Sequence, residues 1–353
     1  MADKKPYTLE FANFTCKFGE KNLLDFAKDI VIPAFFSTEK REYGKSRLFF
    51  ENVEIVKYDT EKGPIVCLQG RFIKVTTLTR EQIYVDGKGL IKAPAELETA
   101  PSSIFMLVLN NHKLLYLKEN PHAPGIFAFR STAHYYIRKK YSEFLNRMMN
   151  EFIEEAQRPV IEKGQTPKRV TKRERLEIIK KLREVYPDPT LQIIPMASSN
   201  TIGTFIKQYK TLKEIKIKFN RTNDELSFHG FFSKIEEGRD ALNSENTTLI
   251  HGSSTGLAID KSVEFLTPIA EEGNQEISLD GVDKNGNRLR GNNDEFNFKA
   301  TLFNITRDVD DTANRMYNAF GQYVNDGVIK ADFHPSEKVI KKLIEIDEEY
   351  FDE

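Results

Sequence analysis

Glu214, Ile215 and Lys216 form the spacing in this sequence that comes closest to a catalytic motif. In restriction-type nucleases, a carboxylate and a lysine two positions later hold a metal ion and polarise a water molecule. Such a site also needs an aspartate from a preceding strand, and Asp188 is the nearest candidate. Asp188 stands between two prolines, however, and that setting is typical of a turn residue. A metal-dependent nuclease using Glu214 and Lys216 is therefore one interpretation, and a chance match on a lysine-rich strand is the other.

Other residues that could bind metals or act as nucleophiles do not form recognisable sites. The six histidines are scattered and show neither an H-x-H nor an H-E-x-x-H spacing. The two cysteines, Cys16 and Cys67, fit neither a zinc site nor a disulfide framework, and we predict that both are small buried hydrophobes. There is no P-loop and no G-x-G-x-x-G fingerprint. We therefore predict no catalytic residues, no metal site and no cofactor, and we favour a non-enzymatic protein.

Basic residues are concentrated in the middle of the chain, although the chain as a whole is nearly neutral, with 52 Lys and Arg against 53 Asp and Glu. The basic stretches begin at residues 138–140, continue between 158 and 183, and resume from 207 to Arg221. A row of like charges repels itself unless a polyanion relieves the repulsion, and phosphates are the commonest such partner. We therefore predict a nucleic-acid-binding surface made of Arg138, Lys139, Lys140, Lys168, Arg169, Lys172, Arg173, Arg175, Lys180, Lys207, Lys210, Lys213, Lys216 and Lys218.

Two other interpretations of this basic surface stay open. The lysines could belong to a solvated helix and to an edge strand that they protect against aggregation. The surface could instead bind an acidic protein, which would make the chain a protein-interaction module. The acidic C-terminal segment from Glu345 to Glu353 could also fold over the basic surface and compete with nucleic acid.

The elements that position these residues begin with β-strands. Runs rich in β-branched and aromatic residues, separated by turn residues, predict strands over 47–58 and 65–75 and a hairpin formed by 104–109 and 113–117. The first strand of that hairpin is apolar enough to be central in its sheet. A helical pattern follows from Ser131 to about Ala156, where Pro159 should end it.

The second half of the chain mixes helices and strands. A helix is predicted over Lys172–Val185, and a shorter one over Thr201–Tyr209 follows the N-cap sequence 198–201. The alternation over 213–219 predicts a half-buried strand. A strand over 277–282 and a returning strand over 295–305 should flank the turn 283–287, because Asn-Gly favours a tight hairpin turn. A helix over 311–325 should close the fold.

This pattern predicts an α+β fold in three parts. An antiparallel-sheet N-terminal domain (1–130) and a smaller α+β C-terminal domain (188–353) should be joined by a helical, basic connector (131–187). The N-terminus lacks the apolar run of a signal peptide, and apolar stretches such as Ile104–Leu109 are too short to cross a bilayer. We expect a cytoplasmic protein without membrane insertion.

The order of these elements resembles that of a known family. A β-rich first part leads to the apolar segment 101–108, a long helix, a strand at 192–196 and then 277–279 with a turn and a returning strand. This order is similar to the A components of Rex phage-exclusion systems and related phage-defence proteins. The resemblance spans about two thirds of the chain and rests on element order and short apolar matches, so no functional residue is transferred. It implies a dimeric, sequence-tolerant DNA binder that acts in antiviral defence.

The basic surface and the resemblance together favour one function. The sequence predicts a non-enzymatic, largely sequence-independent DNA-binding protein that acts in phage defence or prophage exclusion. We expect it to bind duplex DNA as a homodimer and to work with a further protein of the defence system. Positioning would come from contacts between basic side chains and backbone phosphates, with little reading of the bases.

Overall fold

The computed structural model describes residues 5–60, 63–220, 231–242, 244, 246–331 and 337–351. The strands are β1 (Pro6–Phe18), β2 (Lys21–Asn22), β3 (Arg41–Tyr43), β4 (Ser46–Thr60), β5 (Gly63–Val85), β6 (Gly89–Thr99), β7 (Ser102–Val108), β8 (Lys113–Lys118), β9 (Pro189–Pro195), β10 (Tyr209–Phe219), β11 (Thr247–Leu257), β12 (Glu276–Asp283), β13 (Arg288–Asn292) and β14 (Lys299–Phe303). The α-helices are α1 (Ile32–Phe35), α2 (Ile126–Glu162), α3 (Lys172–Val185), α4 (Ser199–Ile206), α5 (Phe231–Ala241), α6 (Ile259–Glu272), α7 (Val309–Asn325) and α8 (Glu337–Phe351). Both sheets are antiparallel, which confirms the predicted α+β fold.

The larger sheet has the strand order β14-β1-β8-β7-β5-β4-β3, with β7 in a central position as its apolar sequence predicts. β1 also belongs to the middle of the sheet, because its first half pairs with β14 and β8 and its second half pairs with β9. Every residue of β1 from Leu9 to Phe18 is buried, so the strand is covered on both faces. Strands from distant parts of the chain thus complete the sheet around its N-terminal strand.

Helices cover the two faces of the larger sheet. On one face, α2 and α8 enclose a core that includes Phe105 and Phe129. On the other face, α7 packs Met316 and Phe320 against Phe11. The aromatic rings in both layers touch one another, for example Phe105 and Phe129 at 5.1 Å between ring centroids. Such pairs add about 1 kcal/mol each to the stabilisation from burial alone.

The smaller sheet has the order β11-β10-β12-β13 and forms a core of its own with α4 and α6. The alternation predicted for residues 213–219 is confirmed, because Ile215, Ile217 and Phe219 are buried. The hairpin around residues 283–287 is confirmed as well, with Asp283 accepting hydrogen bonds from the backbone of Asn287 at 2.9 Å. The smaller sheet therefore presents one face to its helices and the other to solvent.

Three element predictions are wrong in their details. The helix predicted over Thr201–Tyr209 is α4, which ends at Ile206, and Tyr209 begins β10. The strand that returns from the hairpin is β13, whereas β14 joins the larger sheet by pairing with β1. Alternation predicted the segment that contains β14 as a strand but did not specify its partner, and the short strand β13 was not predicted. Helix α2 passes Pro159 and ends only at Glu162. The proline has no backbone N–H, so one helical hydrogen bond is lost. The helix tolerates this loss because Pro159 lies near its exposed end, and just one further turn follows.

Helix α2 is 37 residues long. Within the described part of the chain, no helix combines the length and the apolar composition needed to cross a membrane.

Candidate nucleic-acid interface

The predicted basic stretch lies on a pair of helices that project from the body of the protein. Met149 is the last buried residue of α2, and α3 has no buried residue at all. The chain turns back between them, and the Gln157 Nε2 donates a hydrogen bond to the Lys168 carbonyl at 3.0 Å. We call residues 150–176 the helical arm. Because the arm contributes nothing to the core, its surface is open to solvent on several sides.

The C-terminal end of α3 anchors the arm to the larger core. Leu182 and Tyr186 pack against that core, and the Tyr186 ring meets Phe144 of α2 edge-on at 5.3 Å. The Tyr141 hydroxyl donates a hydrogen bond to the Tyr186 carbonyl at 2.6 Å. Burial raises the pKa of Tyr141 to about 12, so this hydroxyl keeps its proton at neutral pH. Only the N-terminal half of α3 is therefore without packing contacts to the larger core.

The N-terminus of α3 collects positive charge. Thr171 caps the helix, and the Glu174 carboxylate accepts hydrogen bonds from the Thr171 backbone N–H at 2.7 Å and from its hydroxyl at 2.8 Å. These hydrogen bonds lower the pKa of Glu174. Lys172, Arg173 and Arg175 then add three cations to the first turn, where the helix dipole is already positive. An anion placed here would relieve both the side-chain charges and the dipole.

Three of the predicted residues are neutralised by carboxylates. The Lys139 ammonium bonds to Glu39, and this hydrogen bond raises the pKa of Lys139. Lys140 pairs with Glu143 at 2.8 Å, and Lys218 pairs with Glu276 at 3.7 Å. These lysines would have to break an ion pair with a carboxylate before they could bind a phosphate.

The other predicted residues have no carboxylate within 4.0 Å in the part of the chain that the structure describes. One group lies on the helical arm and the rest of α3, and it consists of Lys168, Arg169, Lys172, Arg173, Arg175 and Lys180. A second group lies on α4 and β10, and it consists of Lys207, Lys210, Lys213 and Lys216. Arg138 is exposed on α2, and Arg221 lies outside the described residues. The sequence therefore locates the free cations correctly as exposed residues, but two separate sets of elements carry them.

An open pocket of about 610 Å³ lies beside Lys140, at the base of α2. Its charged walls are already paired, since Lys28 meets Glu349 at 2.5 Å and Arg147 bonds to Asp29. Alternating signs of charge leave no net field for a polyanion at this point. The pocket is therefore a poor extension of the basic surface.

The solvent face of the smaller sheet carries both signs of charge. Asp280 lies directly opposite Glu214 on the neighbouring strand, and Glu276 lies opposite Lys218. The Asp280 carboxylate accepts hydrogen bonds from Arg288 at 2.5 Å and from Arg290 at 3.2 Å, and the first of these bonds lowers its pKa. Lysines on this face thus have acidic neighbours on adjacent strands, and Lys218 forms an ion pair with one of them.

The structure places the candidate nuclease residues differently from what the sequence suggested. Asp188 is an exposed residue between α3 and β9, and the carboxylate paired with Glu214 across the sheet is that of Asp280. In the described residues, no group of three or more His, Cys, Asp and Glu side chains could hold a metal ion. The pairing of β10 with β12 could not be read from residue spacing, which is why Asp280 was missed.

The acidic C-terminal segment does not cover the basic surface. Its described residues form the end of α8, which buries Val339, Leu343 and Ile346 in the larger core. Asp347 pairs with Lys57 at 2.7 Å, so the acidic side chains meet lysines of the N-terminal part. The expectation that this segment folds over the connector is therefore wrong for residues 345–351, and the last two residues lie outside the described chain.

Comparison with known proteins adds no relative to this picture. No protein-family model matches the chain, and no curated protein matches it significantly.

Proposed function

We propose that this protein is a non-enzymatic, largely sequence-independent DNA-binding protein, and that the helical arm is its principal contact with duplex DNA. The observation that carries the proposal is the cluster of unpaired cations on an arm that has no role in the core. From Lys168 to Arg183, which covers the end of the helical arm and the rest of α3, there are eight basic residues and two acidic ones, and one of the acids, Glu174, caps the helix. The α2 part of the arm is more mixed, since it carries four glutamates: Glu151, Glu154, Glu155 and Glu162. An arm that projects from the body can lie along a DNA backbone without any rearrangement of the fold.

The cations on the arm predict a strong dependence on salt. If the six predicted residues between Lys168 and Lys180 each neutralise one phosphate, the logarithm of the affinity falls against the logarithm of salt with a slope of about −5. Between 50 and 200 mM salt, such a slope corresponds to a loss of roughly a thousandfold in affinity. Base contacts play little part in this mode, so unrelated duplexes should bind alike.

The test is a mobility-shift experiment across a salt series with two unrelated duplexes, a single strand and double-stranded RNA. The triple variant Lys172→Glu, Arg173→Glu, Arg175→Glu should lose most of the affinity for every duplex and should reduce the salt slope by about 3. The added carboxylates lie at the N-terminus of α3, where the helix dipole favours them, so the helix should persist.

A matched control reverses three exposed lysines elsewhere, through Lys45→Glu, Lys88→Glu and Lys284→Glu. It changes the net charge by the same amount and should keep more of the affinity than the arm variant. Equal binding by the arm variant and the wild-type protein would exclude the helical arm as the DNA contact. Equal losses in the two variants would mean that net charge matters and that the arm has no special role.

We propose further that the protein acts in phage defence or prophage exclusion, as a cytoplasmic homodimer with a partner protein in the defence system. The support is the resemblance in element order to the A components of Rex systems. Plating phages on cells that carry the gene with its neighbours, in wild-type and arm-variant forms, would test this role. Equal plating with and without the gene, across a broad set of phages, would count against it.

A metal-dependent nuclease is the alternative that one observation favours, namely the pairing of Glu214 with Asp280 across neighbouring strands. Incubating plasmid with the protein and Mg²⁺ or Mn²⁺ would decide between the two functions. Cleavage that disappears in the Glu214→Ala variant would establish the nuclease, and intact plasmid would remove it.

A further inference from the structure

The end of the β5–β6 hairpin projects from the larger sheet as a separate ribbon. β4 pairs with β5 only as far as Val75, and β7 pairs with it only as far as Ile73. Beyond these residues, the described chain places only β6 beside β5. No residue between Lys74 and Ala100 is buried. We call residues 76–99 the β-ribbon, and its ten-residue strands extend for roughly 30 Å.

The pairing register assigns side chains to the two faces of the β-ribbon. Between the pairs Arg80–Ala95 and Gln82–Lys92 there is one residue on β5 and there are two on β6, so the bulge lies on β6. β5 therefore alternates without interruption, and directly opposite residues share a face. One face consequently carries Thr76, Leu78, Arg80, Gln82 and Tyr84 of β5, with Thr99, Leu97, Ala95, Lys92 and Leu90 of β6.

This face exposes four large apolar side chains. Leu78 and Leu97 are 46% and 66% exposed at the base of the β-ribbon, and Tyr84 and Leu90 are 69% and 67% exposed near its tip. The two pairs are cross-strand neighbours, so each forms a continuous apolar surface. Such surfaces rimmed by polar residues mark sites of interaction with other proteins. We call this side of the β-ribbon the apolar face.

The charges of the apolar face indicate what it binds. Its only charged residues are Arg80 and Lys92, and the Arg80 Nε donates a hydrogen bond to the Ala93 carbonyl at 3.3 Å. A second copy packed face to face would bring four cations together between the two apolar ends, which is unfavourable. The opposite face carries Glu81, Glu96 and Glu98, of which Glu98 is paired with Arg47 at 2.8 Å, and the other two carboxylates would repel a polyanion there.

We propose that the apolar face binds a protein segment that has acidic residues between two apolar ends. The apolar anchors would cover the Leu78–Leu97 pair and the Tyr84–Leu90 pair, and the carboxylates would meet Arg80 and Lys92. Leu78 and Tyr84 are six positions apart on β5, which corresponds to roughly 20 Å along the strand. An amphipathic helix of about 13 residues spans that length. This site is separate from the helical arm, so it can fail while the DNA-binding proposal stands, and the reverse also holds.

Peptide display against the full-length protein tests the proposal. A library of random 16-residue peptides is selected on the wild-type protein, and the enriched peptides are synthesised and titrated. The enriched sequences should carry Asp or Glu flanked by large apolar residues. They should lose at least tenfold in affinity for the variant Leu78→Ser, Tyr84→Ser, Leu90→Ser, Leu97→Ser. The variant Arg80→Glu, Lys92→Glu should weaken them as much and should select basic peptides instead.

The matched control replaces apolar residues on the opposite face, through Ile83→Ser and Ile91→Ser, and should leave peptide binding unchanged. All these residues lie outside the core, so the variants should fold, and circular dichroism checks this. The proposal is overturned if no peptide is enriched, if enrichment does not favour acids, or if the control weakens binding as much. It is also overturned if sedimentation velocity shows a dimer that the four-serine variant abolishes, because a second copy would then occupy the face.

Discussion

The buried side chain of Lys113 predicts how the free energy of unfolding depends on pH. The side chain is buried beside β1, and its ammonium group donates a hydrogen bond to the Asn13 Oδ1. Asn13 is held in turn by the Glu272 carbonyl, which accepts a hydrogen bond from the Asn13 Nδ2 at 2.8 Å. Removal from water lowers the pKa of Lys113 to about 8, although the charge of Glu272 partly opposes this shift. The folded protein therefore holds a cation at an energetic cost.

The sign of the pH dependence follows from this lowered pKa. A lysine in the unfolded chain keeps its proton up to a pH of about 10.5. Above about pH 7 the unfolded state therefore binds more protons at this lysine than the folded state, and the contribution of Lys113 to the free energy of unfolding rises with pH. With pKa values of about 8 and 10.5, this contribution rises by about 2 kcal/mol between pH 7.5 and 9.5. Below about pH 7 it is flat.

Urea unfolding followed by far-ultraviolet circular dichroism measures this rise, because the chain contains no tryptophan to report by fluorescence. Burial raises the pKa of the Cys16 and Cys67 thiols, so these two groups lower the stability of every variant as the pH rises over the same range. The lysine is therefore isolated by a comparison with Lys113→Met, which keeps the aliphatic length and removes the charge. From pH 7.5 to 9.5, the free energy of unfolding of the wild-type protein should gain about 2 kcal/mol relative to that of Lys113→Met, at an unchanged m-value. Lys45→Met, at an exposed position, should behave like the wild-type protein. An equal pH dependence of stability in Lys113→Met and in the wild-type protein would refute the reasoning, since Lys113 would then contribute nothing to it.

Two further predictions test the packing of the helices and of the smaller sheet by the same urea assay. Leu343→Ala should lower the free energy of unfolding by about 3 kcal/mol, because Leu343 of α8 is buried in the larger core, whereas the exposed neighbour Ile344→Ala should change it little. Similar values for both would show that α8 does not pack there. Gly291→Ala should cost about 2 kcal/mol, because its Cβ would lie 2.1 Å from a ring carbon of Phe205, while Gly321→Ala on open helix surface should be neutral or stabilising. A neutral Gly291→Ala would contradict the close packing of β13 on α4.

Elements with local signals were predictable from the sequence. The bounds of α3 are confirmed at Lys172 and Val185, where a capping box and a following proline define the ends. The start of the helix after residue 198 is confirmed, with Ser198 as its N-cap, but the helix ends at Ile206 and not at Tyr209. Partners far apart in the chain were not predictable, since β14 and β9 find β1 through pairings that no residue spacing reveals.

Surface features, too, were predictable where the signal is local and not where it depends on residues far apart in the chain. The exposed cations were identified correctly, yet Lys139 is neutralised by Glu39 from a hundred residues earlier in the chain. Helix α8 was missed because its acidic residues suggested a segment that folds over the basic surface, although Val339, Leu343 and Ile346 recur at helical spacing. The β-ribbon was missed as well, because a ribbon without a buried face lacks the alternation that marks a half-buried strand. Whether the predicted cations bind DNA stays a prediction.

The central position of β1 has a consequence for how the chain folds. β1 is synthesised before its partner β14, which leaves the ribosome almost 300 residues later, as the pairing of Pro6 with Phe303 shows. At a synthesis rate of about 5–20 residues per second, the apolar edge of β1 waits for on the order of half a minute. Pairings of such high sequence separation also slow the folding step itself. The newly made chain is therefore a natural client for chaperones that shield an unpaired strand.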